Sequence, residues 1–325
     1  MQLGIIGGGA WGTALAQVAA RDDAPVRLWA REAAVVDAIN RGHENTPFLP
    51  GVALSPLIAA TGDLADMQGC DALLLVVPAQ HLRAVLQGLP RGDTPLVLCA
   101  KGIEAGTAML TIEIAAISFP DAPLAALSGP TFAREVALGQ PTAVTLASHD
   151  EVFARRLARR LATPMFRPYL SSDVIGASIG GAVKNVLAIA CGVVDGAGLG
   201  QNARAALIAR GFAEMTRFGV ARGAQAATLT GLSGLGDLVL TCSSMASRNY
   251  SLGVALGQGR VAADVLADRT SVAEGAATAP VLAQAAATMG VAMPVVDAVC
   301  ALLSGAPVRD VIEGLLARPI AAEFG

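Results

Sequence analysis

Through its first half the chain alternates short apolar runs with longer stretches in which apolar side chains recur at three- and four-residue spacing. The runs at residues 2–6, 26–29, 72–77, 96–100, 124–127 and 143–147 read as strands, and the stretches at 13–20, 32–40, 81–87, 107–116 and 150–162 as helices. Such alternation predicts a doubly wound, mainly parallel sheet, in which ligands bind beyond the carboxyl ends of the strands. After Tyr169 the strand pattern stops. Ser171-Ser172-Asp173 offers helix caps, and from there onward the spacing is helical with glycine and proline breaks.

The first strand runs straight into Gly7-Gly8-Gly9-Ala10-Trp11-Gly12 and a helix follows, which is G-x-G-x-x-G in the setting that gives it meaning. Gly7 allows the tight turn, Gly9 lets the backbone approach a pyrophosphate, and Gly12 lets helix and strand pack closely, with the helix N-terminus facing the anion. The expected architecture is therefore α/β: a Rossmann-like dinucleotide-binding domain over residues 1–174, followed by an all-helical substrate and catalytic domain over 175–325. The second strand ends in Ala30-Arg31-Glu32. A strict NAD enzyme usually has a carboxylate at that point for the ribose hydroxyls, whereas an arginine takes a 2′-phosphate, so Arg31 predicts that NADP(H) is accepted alongside NAD(H). Glu32 reads as the start of the next, solvated helix.

Composition narrows the partner. A net charge of -3 gives no general attraction to nucleic acid or to an acidic membrane surface, so an anion site has to be built locally, for a small molecule. The five cysteines are scattered without a C-x-x-C pair, which fits buried thiols in a reducing, cytoplasmic setting and no metal centre. Mean hydropathy is high, at +0.56. Each long apolar stretch is nonetheless interrupted by glycine, proline or a polar residue before the roughly 18 to 20 residues that a spanning helix needs, so no membrane span and no cleavable leader are expected.

Of the 23 basic residues only Lys101 and Lys184 are lysine. Arginine keeps its proton in a protein, whereas a lysine ammonium shifts its pKa and serves as acid or base, so these two are candidates for chemistry. Lys101 follows the fourth predicted strand at its carboxyl end, on the ligand edge that also receives Pro78-Ala79-Gln80 and Ser128-Gly129-Pro130-Thr131. Lys184 falls on a helix whose core stripe is Val183, Val186, Leu187, Ala190 and Val194, and it leans over Gly180 and Gly181. Those glycines leave either bare backbone for a small substrate or room for close helix packing. Burial and a second ammonium, that of Lys101, both lower the pKa of such a lysine toward neutrality. A last cluster, Gly231 to Asp237, then Thr241-Cys242-Ser243-Ser244 and Ser247-Arg248-Asn249, offers a guanidinium, hydroxyls, an amide and a helix start, a set suited to phosphate or to a plain capped helix.

These motifs, with Asn45-Thr46-Pro47-Phe48-Leu49-Pro50-Gly51, Lys101-Gly102, Gly129-Pro130-Thr131-Phe132-Ala133, Lys184-Asn185-Val186, Asp195-Gly196, the segments 202–210 and 234–241, and Ser247-Arg248-Asn249, stand in an order that closely resembles the bacterial-type NAD(P)-dependent sn-glycerol-3-phosphate dehydrogenases. The resemblance runs nearly end to end. It implies interconversion of dihydroxyacetone phosphate and sn-glycerol 3-phosphate for phospholipid synthesis, and a homodimer. It implies Lys184 as proton donor and acceptor, with Lys101 and Asp237 shaping the polar site. Substrate contacts carried over in this way are Lys101, Gly129, Thr131, Lys184, Asp237, Ser247, Arg248 and Asn249. The cofactor contacts are Gly7, Gly9, Ala10, Trp11, Gly12, Arg31, Lys101, Ala133, Arg248, Val272 and Glu274. Ala10 and Thr131 stand where the family often has serine, so Ala10 is left with its backbone alone. Two rivals remain at this stage: a two-domain hydroxyacid dehydrogenase, which shares the glycine fingerprint and a helical domain with a lysine, and a dinucleotide-sensing module without turnover.

Overall fold

The computed structural model describes residues 1–21, 24–267 and 273–319. The strands β1 (Leu3–Ile6), β2 (Val26–Trp29), β3 (Ile58–Thr61), β4 (Ala72–Leu75), β5 (Leu96–Leu98), β6 (Leu124–Ser128), β7 (Thr142–Ser148) and β8 (Phe166–Ser171) form one sheet in the order β3-β2-β1-β4-β5-β6-β7-β8. All neighbours pair parallel except β6 with β7. Because β1 lies between β2 and β4, the order reverses at its carboxyl end, which is where the glycine turn stands.

The helices between strands are α1 (Ala10–Ala19), α2 (Ala33–Gly42), α3 (Ala79–Gly88), α4 (Thr111–Ser118), α5 (Ala133–Ala137) and α6 (Glu151–Leu161). They cover both faces, and strand alternation sorts the core accordingly. Leu3, Ile5, Leu28 and Leu74 pack with α1, α2 and α6, while Ile6, Leu73, Leu75 and Leu98 face α3 and α4. Two strands escape the reading of the apolar runs. β3 is a short edge strand with two alanines in four residues, and β8 carries Pro168 and exposes much of its side-chain surface at the other edge. The predicted helix at 107–116 begins only at Thr111, because Gly106 and Ala108 hold positive φ of 83° and 55° and the chain turns there instead.

Beyond β8 follow α7 (Val174–Gly196), α8 (Gln201–Ala221), α9 (Ala226–Leu229), a single π-helical turn Leu232–Gly236, α10 (Asp237–Thr241), α11 (Arg248–Gly257), α12 (Ala262–Ala267), α13 (Glu274–Thr288), α14 (Pro294–Leu303) and α15 (Val308–Leu316). Asp173 starts α7, its carboxylate accepting from the Gly176 amide at 2.8 Å. The expected one-sided stripe on α7 is corrected: apart from Ile175 and Ser178, residues 174–194 are all buried. The reason is position. One apolar cluster continues from the α3–α4 face of the sheet through α7 into the surrounding helices, so α7 has no solvent side. The interruptions noted in the sequence do not shorten it either, for Val174–Gly196 is long and apolar enough to cross a membrane, with mean hydropathy 1.7, and 94% of that window is buried inside the protein. That is the signature of a central core helix.

Candidate active site

The glycine turn brings β1 and α1 together at van der Waals limits. A Cβ at Gly12 would lie 1.9 Å from the Gly7 carbonyl oxygen, and Gly7 itself holds φ of +131° against the Val76 carbonyl. Gly9 faces open space, since a Cβ there would meet nothing within 4 Å. It is also the N-cap of α1 without a side-chain cap, so the first-turn amides of Ala10, Trp11 and Gly12 have no capping oxygen. The Trp11 Nε1 donor is buried and without a partner. An open glycine cradle, uncapped amides and an orphaned donor together fit the pyrophosphate of a dinucleotide. Asn45, quoted above for its motif and given no role, braces this turn: wholly buried, it donates to the Gly8 carbonyl at 2.8 Å and to Thr13 Oγ1 at 2.7 Å. Arg31 follows β2, largely exposed and paired with Glu32 at 2.9 Å. Glu32 is the N-cap residue of α2.

Lys101 and Lys184 come together through one carboxylate. Lys101 Nζ donates to Asp237 Oδ2 at 2.7 Å and to the Gly129 carbonyl at 3.3 Å, and Lys184 Nζ donates to Asp237 Oδ1 at 2.6 Å and to Thr241 Oγ1 at 2.8 Å. Asp237 is fully buried, while Lys184 and Lys101 keep 7% and 13% of their side-chain surface exposed. What little of this centre is exposed therefore belongs to the two lysine side chains. Burial lowers the Lys184 pKa to about 8; Asp237 opposes that fall, and the Lys101 charge adds to it. The second ammonium expected beside Lys184 thus acts across an intervening aspartate.

Thr241 belongs to this centre and not to the anion cluster in which the sequence reading put it. It lies four residues beyond Asp237, one helical turn away on the same face, so both reach Lys184, and its hydroxyl donates to Asp237 Oδ1 at 3.2 Å. Ser243 is corrected likewise, its hydroxyl donating back to the Val239 carbonyl at 2.6 Å. Gly180 and Gly181 serve packing: a Cβ at Gly180 would meet the Ser233 carbonyl oxygen at 2.3 Å, and one at Gly181 would meet Ser128 Oγ at 3.0 Å and Lys101 Cγ at 3.1 Å. The space beneath Lys184 is filled by the π-helical turn and by the stem of Lys101.

The remaining predicted residues gather around these groups. Thr131 donates to the Gly129 carbonyl at 3.2 Å, and Ala133 opens α5 just beyond it. Ser247 caps α11 by accepting from the Tyr250 amide at 3.2 Å, Arg248 is the exposed first residue of that helix, and Asn249 Oδ1 accepts from the Gly275 amide at 3.0 Å. Glu274 opens α13. Burial raises its carboxyl above the usual range, against the opposing charges of Arg248, Lys101 and Lys184. Val272 lies outside the described residues. Among the described residues no three His, Cys, Asp or Glu side chains stand close enough to hold a metal ion.

A dinucleotide cradle at the carboxyl edge of the sheet, joined through Lys101 to a lysine–aspartate–lysine centre on the helices beyond it, fits an oxidoreductase that uses NAD or NADP and acts on a CH–OH group. Residues 2–154 match the NAD-dependent glycerol-3-phosphate dehydrogenase N-terminus and residues 173–313 the C-terminus of the same family, and the chain belongs to that family. A glycerol-3-phosphate dehydrogenase [NAD(P)+] 1 of Sphingopyxis alaskensis is 62% identical over 321 residues, 98% of this chain and 97% of its own length. The crystal structure of glycerol-3-phosphate dehydrogenase from Coxiella burnetii superposes with a TM-score of 0.93 at 38% identity, covering 98% of this chain and 99% of that one. The yeast Saccharomyces cerevisiae enzyme of the same description gives 0.82 at 27% identity, over 96% and 98%.

Proposed function

We propose that the chain reduces dihydroxyacetone phosphate to sn-glycerol 3-phosphate, and runs the reverse oxidation, with Lys184 as the general acid and base at the substrate C2 oxygen. The observation that carries this reading is the shared carboxylate: Asp237 holds both ammonium groups within 2.7 Å, and Lys184 is left with a pKa of about 8, close to the working pH. A reduced nicotinamide, when held by the Gly7–Gly12 cradle, would supply the hydride for C2. Lys184 gives its proton to the oxygen of that carbon as negative charge develops there, and Lys101 stabilises the same oxygen with its fixed charge. Arg248, with Ser247 and Asn249 at the start of α11, anchors the distant phosphate, whose binding energy positions the carbonyl. Arg31, at the edge of the cofactor crevice, takes the 2′-phosphate of NADPH. The division of labour is then a dinucleotide-binding part over residues 1–174 and a substrate part over 175–325. The same likeness to the family favours a cytoplasmic homodimer supplying phospholipid synthesis.

Oxidation of NADPH with dihydroxyacetone phosphate, repeated with NADH, tests the reading directly; turnover of a phosphate-free 2- or 3-hydroxy acid instead would replace it. Arg248→Ala is expected to lower kcat/KM for dihydroxyacetone phosphate by on the order of 100-fold, the cost of a lost charge-assisted contact to phosphate. Unchanged substrate dependence would put the phosphate elsewhere. For Arg31→Ala the expected result is selective: NADPH affinity drops about tenfold while NADH affinity stays within twofold, as calorimetric titration would read. An equal loss for both dinucleotides removes Arg31 from the 2′-phosphate.

A further inference from the structure

Lys101 has no regular structure on its C-terminal side. From the end of β5 to the start of α4 the chain is irregular, and Lys101 crosses from the sheet to Asp237 in the helical part from within that stretch. β5 fixes the chain before it, with the Cys99 amide donating to the Leu75 carbonyl, and on its other side the position of Lys101 depends on what fixes residues 102–110. A Cβ at Gly102 would lie 2.9 Å from Ala79 Cβ, so the backbone there is pressed against the first turn of α3. Gln80, one residue on, clamps the next three residues from both sides: its amide donates to the Ile103 carbonyl at 2.7 Å and its oxygen accepts from the Ala105 amide at 2.9 Å.

The Glu104 side chain lies at the centre of this stretch. It is a carboxylate with only 11% of its side-chain surface exposed, gripped in bidentate fashion by Arg83 of α3 at 2.9 and 2.7 Å, and it also accepts from Thr107. The Glu104 backbone accepts from Ala108 and donates to Met109, closing the turn that Ala108 makes at positive φ. From the other side Arg222 at the end of α8 grips Glu113 of α4 at 2.7 Å through both carboxylate oxygens and reaches the Ala108 carbonyl at 3.4 Å. The segment is thus anchored to α3, which packs on the sheet, by Gln80 and Arg83, and to the end of α8 by Arg222. The ligand edge of the sheet and the helix bearing Asp237 are the two parts that Lys101 spans.

We propose that Glu104, held by Arg83 and flanked by Gln80, is a positioning residue of the reaction: it fixes the chain three residues after Lys101 so that the ammonium meets Asp237 and lies beside Lys184. The inference rests on the roles given above to Lys101 and Lys184. A loop brace of merely structural purpose would lower stability and leave the chemistry of the remaining folded enzyme alone, whereas a positioning residue acts through Lys101.

The experiment is a double-mutant cycle on the full chain, with Glu104→Gln, Arg83→Gln and Lys101→Met made singly and Glu104→Gln combined with Lys101→Met. Glu104→Gln and Arg83→Gln are each expected to lower kcat on the order of tenfold, the cost of misplacing a catalytic charge by a fraction of an ångström. In both, the pH limb that reports Lys184 shifts upward, because the charge that depresses it is no longer held nearby. In the Lys101→Met background Glu104→Gln should cost nothing further in kcat. An additive loss in that background, or an unshifted pH limb beside a lowered melting temperature, overturns the proposal. Full kcat in both Glu104→Gln and Arg83→Gln does so as well, and Arg83→Gln keeps the test decisive should Glu104→Gln fail to fold. If Lys101→Met itself retains full kcat, the role of Lys101 fails first, which separates the two readings.

Discussion

Replacing Lys184 with arginine should preserve the charge beside Asp237 and abolish most of the turnover. A guanidinium donates hydrogen bonds to Asp237 and Thr241 as an ammonium does, but it does not release a proton at any working pH. General acid catalysis contributes roughly 100- to 10,000-fold, and Lys184→Arg is expected to lower kcat within that range while NADH affinity stays within twofold. The wild-type pH profile supplies an independent reading. An acid with a pKa of about 8 is protonated below that value, so reduction is fast at neutral pH and falls as pH rises through it, while oxidation, which needs the neutral amine, rises over the same window. In Lys184→Arg both limbs should vanish from the residual activity. Near-normal turnover, or a residual rate that keeps the limb near pH 8, would remove Lys184 as the acid.

Much of this architecture was legible because the residues that make it are close together in sequence. The G-x-G-x-x-G turn, with its adjoining strand and helix, is a local motif, and the structure adds the reason for each glycine and the Asn45 brace beneath. The apolar runs of β1, β4, β5 and β6 could be read because their side chains are buried on both faces. β3 and β8 are edge strands, one of small residues and the other interrupted by Pro168, and neither carries that signal. The π-helical turn Leu232–Gly236 is three-fifths leucine and serine around two glycines, with no period to read, yet it packs against Gly180 and so decides between the two uses, substrate space or close packing, that the helix pattern left open for that glycine. The scarcity of lysine pointed to Lys101 and Lys184, but the centre they form joins residues 136 and 53 positions apart from Asp237, and such pairings leave no trace in local spacing. Thr241 was the exception. Its four-residue distance from Asp237 on one short helix is a local signal that both side chains face the same way, and reading the serines and threonine as one phosphate cluster hid it.

Asp237→Asn tests the centre from its other side, and its result should differ in kind from that of Lys184→Arg. In the wild type the aspartate charge is the main influence holding the Lys184 pKa up against burial, while Lys101 pushes in the same direction as burial. An asparagine removes the opposing charge and leaves the other two, so Lys184 becomes neutral at physiological pH and the two amines are no longer held by one anion. Removing one partner of a buried ion pair costs about 3 to 5 kcal/mol, with the discharge of Lys184 relieving part of it, so a melting temperature several degrees lower is expected. Reduction at neutral pH should fall on the order of 100-fold or more, because the acid has lost its proton before the substrate arrives. What distinguishes the variant is the direction of recovery: lowering the pH restores the proton to Lys184, so the residual reductase activity should climb on the acid side with its limb displaced below the wild-type position, a recovery that Lys184→Arg has no group to provide. Measured pH–rate profiles of the two variants side by side check this. An Asp237→Asn profile whose limb coincides with that of the wild type would mean that the carboxylate does not set the protonation of Lys184, and the shared-carboxylate account of this site would fall with it.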